Sequence, residues 1–144
     1  ILYTNFIHIF QIVYIAPMKA LVRERVSDWT VKFTKINKKV VEVTGDITPR
    51  SSLIASADII ITTPEKWDGM SRNWLQKDFV KQVGLIIIDE IHLLAEERGP
   101  VLEVIVSRMN YINSVKNAKV RIVGLSTAMA NAGDLANWLG KFKK

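Results

Sequence analysis

The sequence predicts an α/β fold, a parallel sheet with helices on both faces. Three observations lead there. Short apolar, often β-branched runs alternate along the chain with longer amphipathic stretches, the order that βαβ units produce. One run, Leu85 to Ile88, is aliphatic throughout, which fits a strand buried on both faces. Helix-start residues follow the strand-like runs, Pro17 after the first and Thr63-Pro64-Glu65 after the third.

In chain order, Ile12 to Ala16 reads as a buried strand, and Pro17 then starts a helical stretch with Leu21, Val22, Val26 and Trp29 among its apolar residues. Lys39 to Val43 is a β-branched strand that Thr44-Gly45-Asp46 ends, and Asp58 to Ile61 is an Ile-rich strand. Thr63 suits the N-cap of the next helix, Pro64 its first position and Glu65 its positive dipole end. Leu85 to Ile88 ends in Asp89. Gly99-Pro100 starts a helix on which Val101, Leu102, Ile105, Met109 and Ile112 share a face. Val120 to Leu125 is a further strand, followed by Ser126-Thr127-Ala128. Asn131 to Leu139 closes as a helix with Gly140 as its C-terminal cap. Trp29, Trp67, Trp74 and Trp138 lie in amphipathic stretches, where packing in a core or interface is expected.

The 144 residues suffice for one domain, and 49% hydrophobic residues can bury a sizeable core. A formal net charge of +6 mildly favours a polyanionic partner. No Cys and only two His, His8 and His92, exclude a disulfide frame, a thiolate metal site and a His-rich one. No apolar run reaches the roughly 18 residues that span a bilayer, so no membrane partner is expected. Ile1 to Ile12 is apolar and lacks the basic start of a signal peptide. Its Leu2, Phe6, Ile9 and Phe10 fit one helical face, either a core helix entering from an upstream segment or an artefact of cloning or gene assignment.

Asp89-Glu90-Ile91-His92 is the strongest chemical signal. Ligands of open parallel sheets sit at the carboxyl ends of strands, so a dry strand delivers two adjacent carboxylates into the ligand crevice. Such a pair suits a Mg²⁺-nucleotide. One carboxylate can hold the hydrated metal, and the other can orient and deprotonate an attacking water.

At this point the chain resembles the superfamily-2 DExH-box helicases. DEIH after an aliphatic strand resembles their motif II, Ala16-Pro17-Met18-Lys19-Ala20-Leu21 motif Ia, Thr62-Thr63-Pro64-Glu65-Lys66 motif Ib, and Ser126-Thr127-Ala128 motif III. The Arg98 to Glu103 run narrows the resemblance to the large tandem-cassette helicases, and Trp67-Asp68 with Glu96 to Pro100 narrow it further within that group. It runs from about Ile12 to Gly140, which divides the chain into a divergent segment, 1–11, and a partial first RecA-like domain, 12–144. The resemblance implies a RecA-like parallel sheet, ATP and Mg²⁺ as cofactors, Asp89 as the Mg²⁺ ligand through water, Glu90 as activator of water, and His92 as the coupling between nucleotide and nucleic-acid sides. Ser126 and Thr127 would link hydrolysis to strand movement. From the residues alone, they also suit an N-terminal cap for the last helix.

The nucleic-acid groups rest on helix N-termini, which present unpaired N–H groups and a positive dipole end to phosphate. Pro17 and Pro64 place two such starts after strands, or serve as plain helix initiators. Lys19, Thr63, Thr44 and Gly45 could touch a single-strand backbone without reading bases. Arg23 and Arg25 offer further phosphate contacts or stay solvated, and Lys66 is expected in solvent. The implied partners are single-stranded or unwinding DNA or RNA, a second RecA-like domain and the rest of a multidomain helicase of 3′-to-5′ polarity. The implied setting is intracellular, nuclear or cytoplasmic.

The family's phosphate loop, G-x-x-x-x-G-K-[ST], is missing from the sequence: the one Gly-Lys pair, Gly140-Lys141, precedes Phe142, and position 135 is Leu. The fold is therefore expected as a P-loop NTPase fold lacking the phosphate-loop strand, with the strand Val120 to Leu125 left at an unpaired edge. The motifs point to an ATP-dependent helicase as the parent enzyme, and the isolated chain is expected to be inactive. A second reading makes the chain a truncated, non-catalytic module that binds nucleic acid or a protein.

Overall fold

The structure, a computed structural model, describes residues 10–92, 99–116 and 120–140. Expectations for residues 1–9, for Glu96 to Arg98 and for the basic tail Lys141, Lys143 and Lys144 lie outside the described residues.

Five parallel strands form one sheet: β1 (Gln11–Ile15), β2 (Val40–Val43), β3 (Ile59–Thr62), β4 (Val83–Ile88) and β5 (Arg121–Gly124), in the order β2-β3-β1-β4-β5. Among the described residues six α-helices accompany them: α1 (Lys19–Thr34), α2 (Ser51–Ala55), α3 (Pro64–Ser71), α4 (Asp78–Lys81), α5 (Gly99–Lys116) and α6 (Ala132–Trp138). Strand side chains alternate between faces, so β1 feeds two cores. Val13 and Ile15 join Ile60, Trp67, Ile86, Ile88, Ile105 and Met109 on one face. Tyr14 and Ala16 join Val22, Ile59 and Ile61 on the other, against α1. The expected α/β architecture is present.

The strands extend to within two residues of their expected limits. Helix α1, however, starts at Lys19 and not at Pro17. Ala16 still pairs as strand, its N–H donating to the Thr62 carbonyl at 3.0 Å, and Met18 is extended as the N-cap. Pro17 is thus the buried link between β1 and α1. Thr63 is the N-cap of α3 with Pro64 in its first turn, as expected, but its hydroxyl makes no capping bond. The N-cap of α6 is Asn131, so Ser126 and Thr127 do not cap that helix. Gly140 follows α6 with φ +98°, the left-handed conformation that suits glycine at a helix end. The short helices α2 and α4 were not foreseen. Phe79 and Val80 of α4 are buried.

The four tryptophans pack as expected. Trp67 is fully buried, Trp74 and Trp138 lie against the same core, and Trp29 lies against the α1-side core. Among the described residues, β5 pairs only with β4. Its outer edge opens on a cleft of about 940 Å³ whose walls include Ile122, Gly124, Ser126, Thr127, Leu135 and Leu139.

Candidate functional site

The carboxyl ends of all five strands lie on one edge of the sheet, and the sequence-predicted residues gather there in two groups. The first stands at the ends of β4 and β5. The Asp89 N–H donates to the Ile15 carbonyl at 2.9 Å, the Leu125 N–H to Ile88 at 2.8 Å, and the Ile91 N–H to Leu125 at 2.8 Å. Glu90 therefore sits in a backbone pinned on both sides, and Ile91 is buried beside it. Its φ is +52°. That conformation costs a residue with a Cβ about 1–2 kcal/mol, and held strain of this kind gathers at functional sites.

Three side chains meet at His92. Its Nδ1 lies 3.3 Å from Glu90 Oε2 and 3.4 Å from Ser126 Oγ. The residues of motifs II and III thus touch through one ring. Thr127 is exposed on the rim of the cleft along β5.

Asp89 is held from two directions. The Glu90 N–H donates to Oδ1 at 3.1 Å, and the Tyr14 hydroxyl donates to Oδ2. A carboxylate oxygen has two lone-pair sites, so each oxygen keeps one. No group of three or more acidic, His or Cys side chains suited to a metal occurs among the described residues. A single carboxylate with spare lone pairs fits Mg²⁺, which keeps several waters and needs one or two protein carboxylates, and does not fit an ion that needs a protein cage. Burial, with the hydrogen bond and negative charge of Asp89, pushes the Tyr14 hydroxyl up to about 12, while Arg25 pulls the other way. Arg25 comes from α1, and its own pKa rises through its contact with the Tyr14 oxygen.

The second group stands at the ends of β1, β2 and β3. Lys19 Nζ lies 2.6 Å from Asp46 Oδ1, and Arg23 Nη2 lies 3.1 Å from Oδ2. The Lys19 hydrogen bond, aided by the charge of Arg23, holds the Asp46 carboxyl below its usual range. Gly45 is exposed beside Lys19; a Cβ there would lie 3.7 Å from Nζ. Thr44 is buried and its hydroxyl turns inward, accepting the Ile47 N–H at 3.2 Å and reaching Glu42 Oε1 at 3.3 Å. Pro17, Thr63 and Pro64 are buried too. Of Pro17, Lys19, Thr44, Gly45, Thr63 and Pro64, Lys19 and Gly45 are thus exposed, and Arg23 is exposed as well. Lys66 Nζ donates to Thr48 Oγ1 at 2.7 Å in an exposed contact.

Sequence reasoning missed Tyr14 and Asp46. The signals in the sequence were a hydroxyl in an otherwise apolar strand and an acid in the turn after β2.

Comparisons with known proteins identify the family of the chain. A model of the DEAD/DEAH box helicase family matches residues 7–135. The chain is 67% identical over 128 residues to activating signal cointegrator 1 complex subunit 3 of Bos taurus, covering 88% of this chain and 6% of that protein. It is 62% identical over 131 residues to the RQC trigger complex helicase SLH1 of Saccharomyces cerevisiae, covering 90% and 7%. The chain thus spans less than a tenth of the length of these relatives. The fold matches a crystal structure of the DUF1998 helicase MrfA with a TM-score of 0.77 at 24% identity, over 91% of this chain and 22% of that one. A second MrfA structure, bound to DNA and AMPPNP, matches with a TM-score of 0.76 at 23% identity, over 91% and 19%. With a family model matching most of its length, the chain belongs to the DEAD/DEAH box helicases.

Proposed function

We propose that this chain is the portion from motif Ia to motif III, residues 12–144, of the first RecA-like domain of an ATP-dependent nucleic-acid helicase. The observation that carries the reading is the pinned turn after β4, which holds Asp89 and Glu90 side by side and ties Glu90 to Ser126 through His92. In this reading Asp89 holds Mg²⁺ through water, and the bound Mg²⁺-ATP supplies the phosphoryl group that hydrolysis releases. Glu90 orients the attacking water and takes its proton. His92 and Ser126 relay the state of that end to β5. The nucleic-acid backbone lies across the ends of β1 to β3, near Lys19 and Gly45.

The test uses the parent helicase. Glu90→Gln keeps size and hydrogen bonding but removes the base. Hydrolysis should fall at least about 10²-fold, the scale of a lost general base, with ATP binding retained. Normal hydrolysis by that variant would make the pair structural and end the proposal. A second reading is a non-catalytic module that binds nucleic acid or a protein. Nucleotide binding and turnover in the longest natural chain carrying this segment separates the two.

A further inference from the structure

The nucleotide-side carboxylate and the helix that follows motif Ia meet at a residue that neither motif includes. Tyr14 lies two positions before Ala16 in β1. Register dictates its reach: Tyr14 pairs with Ile87, and Ile15 with Ile88. Side chains two residues apart share a face. Asp89 therefore falls on the Tyr14 face of the sheet, one step beyond Ile87, within range of a phenol on the neighbouring strand. That face is the one α1 covers.

Helix α1 fixes the phenol in turn. Arg25, Trp29 and Phe33 are spaced by four and lie along one side of the helix. Trp29 packs edge-on against the Tyr14 ring with centroids 4.9 Å apart, and Phe33 backs Trp29 at 5.6 Å. Arg25, one turn earlier, faces the Tyr14 oxygen. The ring is 2% exposed, so it has little freedom to swing away. A buried phenol needs a hydrogen-bond acceptor, and the one it has is Asp89 Oδ2.

We propose that Tyr14 is a positioning residue for the motif II carboxylate: its hydroxyl, set by Arg25 and Trp29 of α1, turns Asp89 so that its remaining lone pairs face the hydrated Mg²⁺ of the nucleotide. The inference rests on the reading of Asp89 as the Mg²⁺ carboxylate. Outer partners of this kind orient metal-binding groups, and their loss typically costs ten- to a hundredfold in metal affinity or activity. The arrangement also gives α1 a mechanical handle on the nucleotide site, because a shift of α1 carries Arg25 and Trp29, and with them the phenol.

The experiment measures the affinity of a fluorescent ADP analogue, mant-ADP, for the parent helicase across a MgCl₂ titration, beside the thermal unfolding of each variant. Tyr14→Phe keeps the buried ring and removes the hydroxyl. It should raise the Mg²⁺ concentration needed for half-maximal tightening of nucleotide binding about tenfold, while affinity without Mg²⁺ stays unchanged. Arg25→Ala leaves the buried ring in place and should shift the midpoint in the same direction by less, which keeps the test decisive should Tyr14→Phe fail to fold. Tyr111→Phe, on α5, is the control and should shift nothing. A Tyr14→Phe variant with the unsubstituted Mg²⁺ midpoint, whether or not it melts earlier, would overturn the proposal and leave Tyr14 a packing residue. If the unsubstituted parent shows no Mg²⁺-dependent nucleotide binding, the reading of Asp89 fails and this inference falls with it.

Discussion

Removing one charge, Asp68→Asn, should loosen α3 from α5 and weaken the fold. Asp68 is buried at the middle of α3 with its side chain 9% exposed. Two arginines reach it, one wet and one dry. Arg72, one turn along α3, is 67% exposed, whereas Arg108 of α5 is 17% exposed. Asp68 Oδ1 lies 2.9 Å from Arg108 Nη1 as an ion pair, and Nη1 also donates to Ser71 Oγ at 2.8 Å and to the Asp68 carbonyl at 3.3 Å. Arg72 is exposed and its charge is screened by solvent, so its arm of the cluster contributes little. Breaking a buried pair costs about 3–5 kcal/mol, because the remaining charge stays desolvated. Arg108 keeps two neutral acceptors, so the lower end, about 3 kcal/mol, applies to Asp68→Asn. For a chain of this size that corresponds to a fall in Tm of about 10 °C, whereas Arg72→Ala should shift it by about 2 °C or less. Burial alone would raise the Asp68 pKa, but hydrogen bonds from Arg72 and Arg108 outweigh it and the net shift is downward from 3.8. A depressed carboxyl stabilises fully above its unfolded value and loses that contribution as pH falls through its folded value. The difference between the unsubstituted chain and Asp68→Asn should therefore start to shrink only as pH falls below about 3.8 and vanish once the pH lies below the depressed folded value. Circular-dichroism melts at pH 7 and in steps below pH 4 provide the assay. Equal losses for Asp68→Asn and Arg72→Ala at pH 7, or no loss for either, would refute the reasoning.

Two further outcomes follow from the ends of the strands. Asp46→Asn should free Lys19 and Arg23, tighten binding of a labelled single-stranded oligonucleotide, and steepen the logarithmic salt slope by up to about 1.4, or about 0.7 for each additional phosphate neutralised; anisotropy titrations at two salt concentrations would show it, and weaker binding would mean that Asp46 itself shapes the site. Glu90→Gly should relieve the left-handed strain of about 1–2 kcal/mol, less about 0.4–1 kcal/mol for the freer unfolded chain; the variant should melt slightly higher, and a lower Tm would show that the Glu90 side chain contributes more than its backbone costs.

Local pattern revealed much of this molecule. Runs such as Leu85 to Ile88 and Val120 to Leu125 read as strands because they are rich in the aliphatic, often β-branched residues that sheets favour. Asp89 and Glu90 followed from their place at a strand end, His92 and Ser126 from the family resemblance, and the fold brings Glu90 and Ser126 to His92. What stayed hidden depends on register. Tyr14 and Asp89 are 75 positions apart and meet only because β1 lies beside β4. Asp46 pairs with Lys19 only because the β2 and β1 ends share one edge, with β3 between them. The misplaced start of α1 has a local cause: proline suits a first helical turn, but strand pairing at Ala16 holds the backbone extended through Met18. The positive φ of Glu90 had no local sign, since glutamate does not favour that conformation and the crossing bonds to Ile15 and Leu125 impose it.

The contacts of His92 with Glu90 and with Ser126 end on the same atom, Nδ1. A neutral imidazole carries one proton, on one nitrogen or the other. With that proton on Nδ1, the ring donates toward the Glu90 carboxylate or toward the Ser126 oxygen, and a good line to one is a poor line to the other. With the proton on Nε2, Nδ1 is an acceptor; the Ser126 hydroxyl can donate to it, and Glu90 loses its donor. The ring therefore works as a railway point rather than a bridge. The address of one proton decides whether His92 Nδ1 engages the Glu90 carboxylate or the Ser126 hydroxyl.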